Sequence, residues 1–132
     1  MTNRVRHAVL AALTGLALVA GSLLAGAVFA ADPSDCSADK PTIGLDSEYR
    51  LAGHGTGTCQ DTSLRFVTGE IKWAKRFAPD PLTASVTESG YREYTVDVRT
   101  CDRENTRSYY MRFYWTSTEG HHDSPHRKLH AC

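Results

Sequence analysis

Beyond residue 90 the chain alternates between apolar and polar positions. Tyr94, Val96 and Val98 are separated by Thr95, Asp97 and Arg99, and Tyr109, Met111, Phe113 and Trp115 by Tyr110, Arg112 and Tyr114. Successive strand side chains point to opposite faces, so each run predicts a strand with one apolar face. The short polar segment "DREN" between them predicts that the two strands pair as a β-hairpin. A shorter run, "RKLHAC", predicts a last strand with Leu129 and Ala131 facing inward.

Upstream, "PTIGLDSEYRLAGHGTGTC" predicts two extended stretches joined by a polar turn at Asp46 and Ser47. The second ends in Gly53, Gly55 and Gly57 at alternate positions. Such glycines leave one face of a strand bare, open to a backbone or a large ring. They do not form a phosphate-cradling loop, because neither the GxGxxG nor the Walker spacing is present. "SLRFV" and "EIKWAK" predict two strand pieces broken at Thr68 and Gly69, with a helix over residues 69–78 as the rival, since Trp73 and Phe77 are four apart. Residues 82–90, "LTASVTESG", predict a connection or a short edge strand. The fold class expected from these elements is all-β, a small β-sandwich stapled by disulfides.

The first 30 residues follow another pattern. Arg4 and Arg6 precede the uncharged run "AVLAALTGLALVAGSLLAGAVFA", which stops at small residues before "ADPSDC". This is the pattern of a secretory signal peptide, with Val28 and Ala30 at the small-residue positions that set cleavage after Ala30. An uncleaved membrane anchor is the alternative for an apolar run of this length. The expectation is therefore a leader over residues 1–30, a flexible lead-in over 31–35 and one domain over 36–132. The mature protein would be extracellular and free of the membrane.

Export gives the cysteines a meaning. Cys36, Cys59, Cys101 and Cys132 all follow the leader, an even number in an oxidising compartment, and predict two disulfides. Their wide spacing, without a CxxC pair, argues against a zinc ribbon. Cys101 and Cys132 both fall opposite the apolar side of their strands, which suits a bridge between them across the outer face. Cys36 and Cys59 would then meet at the open end of the hairpin that turns at Asp46. A rival pairing comes from order alone. Cys59, Trp73 and Cys101 follow one another as in an immunoglobulin core, and an immunoglobulin-like architecture is one form the sandwich could take. Arg99 stands where the tyrosine corner would place a tyrosine, so the likeness is one of order.

The charge balance of 15 basic and 15 acidic side chains becomes slightly acidic once Arg4 and Arg6 are removed. Basic residues are interspersed with carboxylates, and the small group Lys72, Lys75 and Arg76 reads as the solvated side of one element, so no nucleic-acid partner is expected. Catalysis is not expected either. No GxSxG elbow occurs, and Ser124, Asp123 and His122 are neighbours in sequence, whereas a triad is assembled in space.

Two constellations remain. His121, His122, His126 and His130, with Asp123, offer ligands that zinc or copper accepts. On a strand, His126 and His130 would be about 13 Å apart, too far to share an ion. On a short helix they would be about 6 Å apart. Tyr110, Arg112 and Tyr114 share the outward face of a strand, and tyrosine and arginine are enriched at recognition surfaces. The competing setting is a covering loop or second sheet. The function expected is that of a secreted, non-enzymatic binding protein with an extracellular protein or polysaccharide partner. A metal-binding protein using the histidines, or a secreted hydrolase inhibitor, is the alternative.

Overall fold

The computed structural model describes residues 32–132. The leader and its cleavage point after Ala30 lie outside the described residues. The fold is organised around β3 (Leu51–Cys59), whose inward positions Leu51, Gly53, Gly55, Gly57 and Cys59 are buried while its outward ones are more exposed. β1 (Cys36–Ala38) and β2 (Thr42–Leu45) pair antiparallel with successive parts of one edge of β3, and β6 (Glu93–Thr100) pairs with its other edge. These four strands form the first sheet.

The second sheet runs β5 (Leu82–Gly90), β4 (Arg65–Trp73), β7 (Thr106–Trp115). β8 (His122–Asp123) and β9 (Arg127–His130) share the far edge of β7. All pairings are antiparallel.

The bare face of β3 receives the large residues of β7. A Cβ on Gly53 would lie 2.6 Å from Met111 Sδ, one on Gly55 2.6 Å from Phe113 Cδ2, and one on Gly57 2.8 Å from the Trp115 ring. The alternation of glycines on one strand thus matches the alternation of large apolar side chains on the strand facing it. Ile71, Val67, Val96 and Val98 complete a core in which Met111, Phe113 and Trp115 are fully buried. The result is a disulfide-stapled β-sandwich, as the alternation implied.

Several finer expectations change. β6 and β7 do not form a hairpin: β6 pairs with β3 and β7 with β4, so residues 101–105 cross from one sheet to the other. Alternation assigns each strand an apolar face but not a neighbour. The two runs face each other across the core, where Tyr94 meets Trp115 edge to face at 6.1 Å. The crossing is held by Asn105 N–H donating to Asp102 O at 2.9 Å, with positive φ at Arg103 and Glu104.

β4 is one continuous strand through Thr68 and Gly69, not two pieces, and no helix forms over residues 69–78. Gly69 marks a close approach, because a Cβ there would lie 2.6 Å from both Met111 Cε and Val96 Cγ1. Residues 82–90 form a full nine-residue edge strand.

The disulfides join Cys36 to Cys59 and Cys101 to Cys132. The first pair are direct partners across β1 and β3. The second does not cross the outer face of one sheet. It ties the residue after β6 in the first sheet to the residue two past β9 in the second, where Cys132 N–H also donates to Tyr49 O at 3.0 Å. The immunoglobulin-like bridge from Cys59 to Cys101 is therefore absent, and Trp73 lies under the Arg107 guanidinium, 4.3 Å from the ring centroid, instead of on a disulfide.

Candidate recognition surface

The outward residues of β7 are Tyr110, Arg112 and Tyr114, and the register sets them beside Lys72, Glu70 and Thr68 of β4 in turn. Three rows of polar side chains therefore cross the outer face of the second sheet. Arg112 also faces Asp123 of β8, and its Nε and Nη2 donate to the two carboxylate oxygens at 2.8 Å each. This fork of parallel bonds fixes the guanidinium plane, and the bond to Asp123 raises the Arg112 pKa further. Tyr114 donates its phenol to Glu70 Oε1 at 3.0 Å, while Lys72 Nζ stands 3.9 Å from Glu70 Oε2. Burial first, and the Glu70 carboxylate second, push the Tyr114 phenol above its ordinary value.

Of the two settings open to the tyrosines, Tyr110 takes the covered one. It is only 2% exposed, under His126, whose ring stacks on it at a centroid distance of 4.6 Å. Its hydroxyl donates to Asp80 Oδ2 at 3.0 Å. Burial, then the Asp80 bond, pushes this phenol up to about 12. Asp80 is held below the usual carboxylate value by the Lys75 N–H and by the Tyr110 hydroxyl. Tyr114 and Arg112 are half-buried, so the accessible part of the face is centred on them.

A concavity of about 220 Å³ opens beside this pair, walled by Glu70, Arg112, Tyr114, Thr118, Glu119 and His121. Sites that enclose small ligands run from about 300 to 1,000 Å³. This one is a polar depression on a sheet face. Glu70, Thr118 and Glu119 were not singled out from the sequence. Glu70 alternates with Thr68 and Lys72, which gives its face, but its place beside Arg112 follows only from the register of β4 on β7.

The histidines do not converge. His122 Nε2 pairs with Asp32 Oδ1 at 2.7 Å, and His121 Nε2 stands 3.6 Å from Asp123 Oδ2. His126 stacks on Tyr110, and His130 Nδ1 lies 2.8 Å from Thr106 Oγ1. Among the described residues, the potential metal-ligating atoms that gather within 4.8 Å belong to Asp35, Cys36 and Cys59, and both sulfurs are consumed by their bridge. The lead-in is tied at two points, by Asp32 on His122 and by Asp35 on Arg65 at 3.0 Å.

No family model matches the chain. No curated protein matches it. Among solved structures, a β-glucosidase from Streptomyces venezuelae in complex with D-glucose is similar over 71% of this chain at 13% identity, with a TM-score of 0.46. The chain spans 15% of the length of that structure, and a likeness of this size carries no argument.

Proposed function

We propose that this is an exported, non-enzymatic binding protein that engages an extracellular partner through the outer face of the second sheet, at Arg112 and Tyr114. The observation that carries the reading is the pre-set pair itself. Asp123 holds the guanidinium and Glu70 holds the phenol beside an open polar depression. A surface ordered before contact loses little side-chain freedom on binding. The raised phenol of Tyr114 stays protonated and serves as a donor, not as a base.

Export is supported by the two disulfides, which persist in oxidising compartments, and by the leader pattern of the N-terminus. The depression is too small to enclose a cofactor, so it suits one polar group of a larger partner. Carboxylates, a hydroxyl and a planar ring around it match a hydroxyl-rich sugar ring, which favours a polysaccharide over a protein. The separate partners of the four histidines favour this reading over a shared metal site.

The test is co-sedimentation of the exported protein with insoluble cell-wall polysaccharides, repeated with Tyr114→Ala and Glu119→Ala. Tyr114→Ala should weaken retention by about tenfold or more, the effect of removing one central aromatic contact. Unchanged retention in both folded variants would place any binding elsewhere on the molecule.

A further inference from the structure

The outer face of the second sheet continues past Tyr114. β4 turns Phe66, Thr68, Glu70 and Lys72 outward, because Val67, Gly69 and Ile71 are buried in the core. The register with β7 sets Thr68 beside Tyr114, so Phe66, two residues further along β4, lies diagonal to Tyr114. Diagonal neighbours across an antiparallel pair are about 7 to 8 Å apart. Phe66 is 50% exposed, although it stands in a regular strand with a neighbour on each side. A single exposed phenylalanine is ordinary on a protein surface. What surrounds this one sets it apart. On the β5 side its partner is Ser89, with Thr87 opposite Thr68 and bonded to it through the two hydroxyls at 2.9 Å. On the β7 side Thr116 N–H donates to Phe66 O at 3.0 Å. Ser89, Thr87 and Thr116 are all exposed, so an aromatic ring stands among hydroxyls on the same face as the Arg112 and Tyr114 pair.

We infer that Phe66 and Tyr114 are two stacking positions for one ligand, an extended, uncharged polysaccharide chain of the flat, β-linked kind, lying across β4 and β7. The inference rests on the binding role proposed for Arg112 and Tyr114 and adds a second ring to that site. The C–H face of a sugar ring is apolar and packs on an aromatic ring, while the hydroxyls around its rim both donate and accept. Serine and threonine hydroxyls do the same, so the groups beside Phe66 match the rim of a sugar stacked on it. The charges of this face are already engaged, Arg112 with Asp123 and Lys72 beside Glu70. The cross-strand neighbours of Phe66, Ser89 and Thr116, carry none, so an acidic sugar would find no partner there. Once a chain is long enough to reach both rings, the second contact is intramolecular, and affinity rises with chain length.

Titration calorimetry with soluble fragments of cellulose and of chitin, from disaccharide to hexasaccharide, tests this. Binding by the wild type should tighten by about tenfold or more along the series, the effect of one added ring contact. Phe66→Ala should lose that gain and keep the disaccharide affinity, Phe66→Trp should retain the gain, and Tyr114→Ala should weaken binding at every length. Phe77, fully exposed beyond the other end of β4, supplies the control for adsorption to any bare ring. An unchanged gain in Phe66→Ala, or an equal loss in Phe77→Ala, overturns the inference. So does a wild type that binds all lengths alike while Tyr114→Ala still weakens it, and that result leaves the role of Tyr114 standing. Absence of binding to every fragment removes that role and this inference together. Should Phe66→Ala fail to fold, Phe66→Thr removes the ring with a residue that suits a strand.

Discussion

His126 lies flat on Tyr110, with the two ring planes within 9° of each other. That stack turns an outward strand position into a covered one. Tyr110→Ala should therefore cost about 3 kcal/mol, the low end for emptying a buried aromatic site. Tyr110→Phe should cost about 1 kcal/mol, because it removes only the hydroxyl bonded to Asp80. Tyr114→Ala, at a half-buried site, should cost less than Tyr110→Ala. Urea unfolding of the three variants gives the ranking, and equal losses at residues 110 and 114 would show that the cover over Tyr110 contributes nothing.

The glycine face of β3 gives a second expectation. Gly55→Ala would drive a methyl to within 2.6 Å of Phe113 Cδ2, with the Cβ and Cγ of Phe113 also close at 3.1 Å. A stiff ring cannot swing aside as a flexible chain end can, so the variant should lose about 1 to 3 kcal/mol. Gly44→Ala is the control, since the nearest atom is the end of Arg127 at an ordinary 3.5 Å. Thermal melting should separate the two clearly, and a Gly55→Ala protein as stable as the control would mean that the sheets can move apart freely.

The same glycines show how far the sequence could be read. Gly53, Gly55 and Gly57 announced a bare strand face open to large rings, and Phe113 and Trp115 do pack there, beside Met111. The expected break at Thr68 and Gly69 does not occur, and Gly69 lies within the continuous β4. Its role depends on Val96 and Met111, which come from two other strands, and no local pattern reveals that. The cysteine pairs came out as a hairpin and a shared parity suggested, but the parity argument misplaced the second bridge, which joins the two sheets and does not cross the outer face of one. The hairpin drawn between β6 and β7 failed because alternation is silent about which strand lies alongside.

Legibility of the site stops at the same point. Tyr110, Arg112 and Tyr114 declared a common face through their spacing. Glu70, Asp80 and Asp123, which hold them, belong to other segments and become visible only once strands are paired. Four histidines within ten residues left a shared metal site open as the alternative reading. They lie before, within and between short strands, and each finds its own neighbour, so closeness in sequence did not become closeness in space.

The two disulfides span 23 and 31 residues. Loop-closure entropy grows slowly with length, so each should contribute about 3.5 kcal/mol by restricting the unfolded chain. They sit at opposite ends of β3, since Cys36 pairs with Cys59 and Leu51 pairs with Thr100 beside Cys101. Distant sites add. Replacing Cys36 and Cys59 by serine, or Cys101 and Cys132, should lower the urea midpoint by similar amounts, and the quadruple variant by their sum. A large loss from one pair and none from the other would point to native-state contacts instead of chain restriction.

Alkali should test the buried phenols. Tyr110 is pushed from 10.0 up to about 12, by burial first and by Asp80 second, and Tyr94, Tyr109 and Tyr114 are raised as well, with burial the largest cause. A raised phenol means that the folded chain holds its proton more tightly than the unfolded one. For Tyr110 that stability is fully present below pH 10 and is lost as pH rises towards about 12, where only the unfolded state has been releasing protons. Asp80 runs the other way. Its lowered pKa contributes above the ordinary value of 3.8 and is lost as pH falls below it. Tyrosinate absorbance followed alongside circular dichroism should show the four phenols ionising together with unfolding. Tyr110→Phe should make stability fall less steeply between pH 10 and 12, and its phenol cannot then contribute to the late absorbance step. Ionisation of Tyr110 near pH 10 on an intact fold would mean that its place on the outer face is open to solvent, and the packed His126 cover would have to be abandoned.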